Sequence, residues 1–140
     1  MDNPPTASQL ALLRNAQDAR EAAYAPYSNF KVGAAVRTRS GRIYTGCNVE
    51  NASFGLCICA ERVAIFSAVS AGDPQIVEIA MCTGADRPSP PCGACRQVLF
   101  EFGRSASVIM GNTNGVVFVS PLGRLFPEPF ELPKAERPPQ

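Results

Sequence analysis

The sequence predicts an α/β fold in which a central mixed sheet of five strands is covered by helices. Three observations carry this. Helix-period and strand-period segments follow one another in the order helix, hairpin, helix, strand, helix, strand, strand. Only the four residues Asn112 to Gly115 join the last two strands, whereas a parallel crossover needs about a dozen, so that pair is antiparallel. A chain of 140 residues, 46% hydrophobic and 18% charged, fills a single core.

Each element has a local reason. SQLALLRNAQDAREAA, residues 8–23, offers Ser8 as an N-cap and sets Leu10, Leu13, Ala16 and Ala19 at helical spacing. From Phe30, FKVGAAVRT reads as a strand, RSGR as a turn around Ser40 and Gly41, and RIYTGC as the returning strand of a hairpin. NVENASFGL crosses irregularly to a helix from Cys59 to Gly72, with Val63, Ile65, Phe66 and Val69 as its apolar face and Gly72 as its stop. QIVEIAMCT is a strand, ADRPSPP a turn, and CGACRQVLFEFG a helix ending at Gly103. SVIMG and VVFVS are the closing strands. Residues 1–130 form the domain, and the proline-rich, charged 131–140 reads as a mobile tail.

Composition weighs against several classes. The N-terminus MDNPPTASQL has neither the basic segment nor the apolar core of a signal peptide, and no apolar run approaches the roughly 20 residues that span a bilayer. A cytoplasmic protein without membrane contact is expected, and there the six cysteines are thiols or metal ligands. A net charge of +1 with no basic block gives a nucleic-acid polymer no track. The chain has no histidine, so catalysis falls to carboxylates, thiolates or a metal.

PPCGACRQ holds Cys92 and Cys95 as C-x-x-C at a loop-to-helix junction, a spacing with which two thiolates grip one zinc ion. The third ligand must then be cysteine or carboxylate. Cys59 opens a helix, where the dipole favours a thiolate, and is the preferred candidate. Cys57, two residues earlier, stays open as a fourth ligand, while Cys47 and Cys82 fall in strands. Three protein ligands with one open position describe a catalytic zinc. Glu61, in the first turn after Cys59, can face that open position and move protons, or simply complement the helix dipole.

C-A-E followed by P-C-G-A-C matches the zinc-deaminase pattern. With APYSNFKVGAAV, GCNVENASFG, CAERVAIF, PCGACRQVLFEF and LFPEPF in order, the chain resembles the small homotetrameric cytidine deaminases from about Tyr24 to Phe130. The resemblance implies a three-layer αβα sandwich and hydrolysis of cytidine and 2′-deoxycytidine to uridine and 2′-deoxyuridine, with release of ammonia, in pyrimidine salvage. It implies one Zn2+ per subunit on Cys59, Cys92 and Cys95, with Glu61 as the proton-shuttling acid and base. It further implies that Asn48 and Glu50 bind the ribose, Phe30 packs on the pyrimidine, and the Ala60 N–H holds the base carbonyl. Phe130 would reach a neighbouring subunit's site, and Arg62 would offset charge on the sulfurs. The partner is therefore a small nucleoside, in a homotetramer with shared active sites. Phe54 stands where relatives often carry tyrosine, and LFP where LLP is usual, which touches substrate fit and subunit contacts. Two rivals share these features: a deaminase of polymeric nucleic acid, and a non-catalytic module whose zinc is closed by a fourth cysteine.

Overall fold

The computed structural model describes residues 3–133. Helix α1 spans Ala7–Arg20, strands β1 Val32–Thr38 and β2 Ile43–Cys47, helix α2 Ala60–Ser70, strand β3 Ile76–Thr83, helix α3 Gly93–Phe102, strands β4 Ser107–Asn112 and β5 Val117–Pro121, and helix α4 Leu122–Leu125. The sheet order is β2-β1-β3-β4-β5. β1 runs antiparallel to both β2 and β3, β3 and β4 are parallel, and β4 and β5 are antiparallel, as the short turn between them requires.

Two clusters make three layers of this. Ala34, Val36, Ile79, Met81, Val108 and Met110 face α2, α3 and α4, while Ala35, Ala80, Cys82 and Ile109 face Leu12, Leu13 and Ala16 of α1. The central strands β1, β3 and β4 are buried on both faces for that reason, and the sandwich matches the expected fold class. No helix among the described residues is long and apolar enough to cross a membrane.

Several local readings are corrected. Helix α1 is capped by Thr6 and not by Ser8: the Thr6 side chain accepts from the Gln9 N–H at 3.1 Å and the Gln9 side chain from the Thr6 N–H at 3.0 Å. This is a capping box, written as T-x-x-Q in the sequence. Strand β1 starts at Val32, two residues after Phe30, because Asn29 sits at φ 57° and turns the chain there. The buried face of α2 is Ala60, Glu61, Ala64, Ile65 and Ala68, while Phe66 is 43% exposed. Short side chains let this helix lie close on the sheet, and the bulkier Phe66 is turned out. A 3₁₀ turn at Phe54–Leu56 and helix α4 were not expected. The expected tail lies outside the described residues from 134 onward, and Glu131 at its start pairs with Arg104 at 2.9 Å.

Close approach of α2 depends on Gly46 in β2. A Cβ there would stand 2.5 Å from the Ala64 N and 2.7 Å from the Ala60 carbonyl oxygen, both backbone atoms that cannot swing aside. Gly46→Ala is therefore expected to push α2 off the sheet at a cost of about 3 kcal/mol, the upper end of ordinary overpacking. Denaturant unfolding measures this, and an unchanged midpoint would contradict the account of the packing.

Candidate metal centre

Two helix starts meet beside the end of β3. Cys59 is the N-cap of α2, Cys92 the N-cap of α3, and Cys95 lies in the first turn of α3. Their sulfurs all lie within 4.8 Å of one another, with Cys59 to Cys92 at 3.8 Å and Cys92 to Cys95 at 3.4 Å. Zinc–sulfur bonds of about 2.3 Å in a tetrahedron put sulfurs about 3.8 Å apart, so the three donors fit one zinc ion. They are the one group of three ligating side chains at such spacing among the described residues.

Charge is handled by Arg62, one turn into α2. Its Nη2 donates to the Cys59 sulfur at 3.3 Å, and its Nε is buried without a hydrogen-bond partner. A buried guanidinium atom left orphaned this way fits a group of anionic sulfurs that it answers electrostatically. Contact with the Cys95 thiol, then with Arg62 and Cys92, pulls the Cys59 thiol down to about 5 despite its partial burial. The Cys95 thiol is pushed up, first by its hydrogen bond to Cys59 and then by burial and the Glu61 charge. Without a cation Cys59 thus takes the negative charge in preference to Cys95. A divalent ion removes that preference, because a coordinated thiol is deprotonated outright.

Glu61 is only 7% exposed, and its Oε2 accepts from the Cys95 sulfur at 3.7 Å. Burial raises its pKa, and the negative charge of Cys59 adds to the effect. A carboxyl held toward its protonated form next to a metal cluster is more than a dipole-complementing residue needs to be.

The cluster opens on a cavity of about 380 Å3 whose walls include Phe30, Asn48, Glu50, Cys59, Ala60 and Glu61. Every expected site residue on this chain except Phe130 is therefore gathered at one place. Phe30 is 42% exposed there, and Ala60, at the first position of α2, has a first-turn N–H with no acceptor within the helix. Asn48 and Glu50 also brace the walls. The Asn48 Oδ1 accepts from the Val32 N–H at 2.8 Å and its Nδ2 donates to the Phe30 carbonyl at 2.7 Å. Glu50 accepts from the Tyr27 and Ser28 N–H groups and from the Ser28 hydroxyl, which holds its carboxyl below the usual range. Loop bracing and ligand binding are compatible here: an amide has a second N–H, and a carboxylate has about four acceptor sites.

Cys57 is separate from the cluster. Its sulfur accepts from the Asn51 N–H at 3.2 Å and closes the loop 51–57. Cys47 and Cys82 lie in β2 and β3 on either side of Gly33. Phe130 is 70% exposed and lies outside the walls of the cavity. Thr83, Ser89 and Pro90 do line it, and sequence reasoning missed them. Two signals pointed to them: Ser89 and Pro90 lead directly into Cys92, and Thr83 ends the strand at whose carboxyl edge ligands of parallel sheets bind.

Comparison with known proteins agrees with this geometry. The family described as "Cytidine and deoxycytidylate deaminase zinc-binding region" matches residues 6–112. A cytidine deaminase of Halalkalibacterium halodurans is 46% identical over 120 residues, 85% of this chain and 91% of that protein. One of Mycobacterium tuberculosis is 42% identical over 126 residues, 88% of this chain and 92% of that protein. The crystal structure of a cytidine deaminase from Burkholderia pseudomallei superposes with a TM-score of 0.83 at 52% identity, covering 86% of this chain and 98% of that one. With three sulfurs at zinc spacing and a family match running from Thr6 to Asn112, the chain belongs to the zinc-binding cytidine and deoxycytidylate deaminases.

Proposed function

We propose that this protein is a zinc-dependent cytidine deaminase that hydrolyses cytidine and 2′-deoxycytidine to uridine and 2′-deoxyuridine and releases ammonia. The observation that carries it is the open three-sulfur cluster with a buried glutamate beside it on a nucleoside-sized cavity. Cys59, Cys92 and Cys95 would hold the zinc, which when bound supplies the Lewis acidity that brings a water's pKa near neutrality.

The remaining chemistry belongs to the chain. Glu61 accepts a proton from the water that attacks C4 and delivers it to ring atom N3, then carries the remaining hydroxyl proton to the amino group, which leaves as ammonia as the C4 carbonyl forms. Burial suits it to this cycle, since a raised pKa brings the carboxyl nearer the working pH. Zinc with three thiolates would carry a formal −1, and the Arg62 guanidinium against Cys59 offsets it, which keeps the charged sulfurs from weakening the metal as an electrophile. The second N–H of Asn48 and the remaining acceptor site of Glu50 suit a ribose hydroxyl, which both donates and accepts. Phe30 covers the pyrimidine face, and the Ala60 N–H meets the base carbonyl.

The same reading includes a homotetramer. Phe54 at 73%, Leu56 at 70% and Phe130 at 70% exposure are large apolar side chains that support burial against further copies, with Phe130 serving a neighbouring site. A small nucleoside as partner, a cytoplasmic setting and a place in pyrimidine salvage complete it. Six unpaired cysteines support the reducing compartment.

The direct test follows the fall in cytidine absorbance on conversion to uridine. Zinc-loaded wild type is expected to convert both nucleosides, and Glu61→Gln to retain its zinc while kcat drops by about 10,000-fold. Intact, zinc-bound wild type that leaves cytidine and deoxycytidine unchanged would overturn the substrate assignment. A second variant separates metal tuning from proton transfer. Arg62→Gln is expected to lower zinc affinity or kcat by about 10- to 100-fold, read by competition with a chelator and by turnover; wild-type values in both would mean that Arg62 plays no part in the site.

A further inference from the structure

Helix α3 anchors a second segment of the chain besides the candidate metal centre. Immediately after Cys95, Arg96 donates from Nε to the Pro91 carbonyl at 2.7 Å and from Nη1 to the Leu125 carbonyl at 2.6 Å. Gln97 makes a closed pair with a single residue: its Nε2 donates to the Phe130 carbonyl at 2.9 Å, and its Oε1 accepts from the Phe130 N–H at 3.0 Å. Phe126 meets Phe100 edge-on with centroids 6.4 Å apart, and Arg104 lies over Phe100 while pairing with Glu131 at 2.9 Å. The segment from Leu125 to Glu131 is therefore fastened to α3 and to Arg104 just beyond its end.

What the Gln97 pair fixes is specific. A side-chain amide that donates to and accepts from the backbone of one residue acts as a β-bridge partner, restraining φ and ψ and with them the Cα–Cβ direction. Yet the ring so directed is 70% exposed and lies outside the cavity of its own chain. Two exposed hydrogen bonds stabilise a monomer little, and the apolar burial that would make the contact worthwhile for folding is missing. The bonds hold the Phe130 backbone in place while its side chain stays exposed at the surface.

We propose that Gln97 is a positioning residue for deamination, fixing Phe130 as a rigid aromatic arm that completes the base-binding wall of a neighbouring copy. This rests on the reading of Phe130 given above and adds the residue that aims it. Gln97 is two positions from Cys95, so the arm and the metal-binding loop of one chain are parts of the same rigid unit.

Kinetics of the zinc-loaded enzyme and a fluorescent probe test this together. Gln97→Met, similar in size but unable to make the pair, and Phe130→Ala are each expected to raise the KM for cytidine about tenfold with kcat and zinc content retained. The double variant should do no worse than either single one, because both remove the same contribution. The chain has no tryptophan, so Phe130→Trp adds a unique reporter whose fluorescence anisotropy should fall when Gln97→Met is introduced. If Phe130→Ala raises KM while Gln97→Met changes neither KM nor anisotropy, the positioning role is overturned and the reading of Phe130 stands. If Phe130→Ala leaves KM unchanged, the reading of Phe130 fails and the role of Gln97 in the reaction falls with it. Additive effects in the double variant would also overturn the proposal.

Discussion

Three thiol sulfurs held within 4.8 Å of one another resist ionising together, and the fold keeps them there all the same. Like charges at that distance oppose one another, so the Cys59 thiol is pulled down to about 5 while the Cys95 thiol is pushed up. A coordinated divalent cation lets all three ionise. The sequence meets the conflict with two helix starts, whose dipoles favour anions, and with the guanidinium of Arg62 against Cys59. Metal affinity is therefore built into the backbone as much as into the side chains.

Much of the packing exists to bring those helix starts together. Helix α2 lies on the sheet through Ala60, Ala64 and Ala68, and Gly46 leaves room for its backbone. Asn112 does similar work for the loop ahead of Cys92. Its Oδ1 accepts from the Asn114 and Val116 N–H groups in the β4–β5 turn, and its Nδ2 donates to the carbonyls of Ala85 and Asp86. One buried amide thus joins the last hairpin to the loop that carries the cavity residues Ser89 and Pro90. Such fully satisfied polar contacts fix a position with little freedom, which an enzyme site requires.

The parts legible in the sequence were those with a short-range cause. The C-x-x-C pair, the cysteine and glutamate around Ala60, the strand runs and the tight final turn all announce themselves within a few residues. The less legible parts depend on the tertiary environment. Phe66 reads as core by helical spacing, yet α2 seats Ala60, Ala64, Ile65 and Ala68 on the sheet and leaves Phe66 on its outer side. Asn48 reads as a ribose ligand or a loop cap, and its hydrogen bonds to Phe30 and Val32 show a bracing role that depends on a strand 16 residues away. Thr83 is an unremarkable threonine until the sheet order places it at the end of β3 beside the cavity. Thr6 was legible in principle, since T-x-x-Q was present, but Ser8 lay nearer the first apolar residue.

The central claim is that the metal centre is open, with three sulfurs and one position left for chemistry. X-ray absorption of the zinc-loaded protein counts those neighbours directly. Three sulfurs at about 2.3 Å with one oxygen or nitrogen are the expected result. Four sulfurs would mean that a further cysteine closes the tetrahedron, that the zinc is structural, and that Glu61 has no water to act upon.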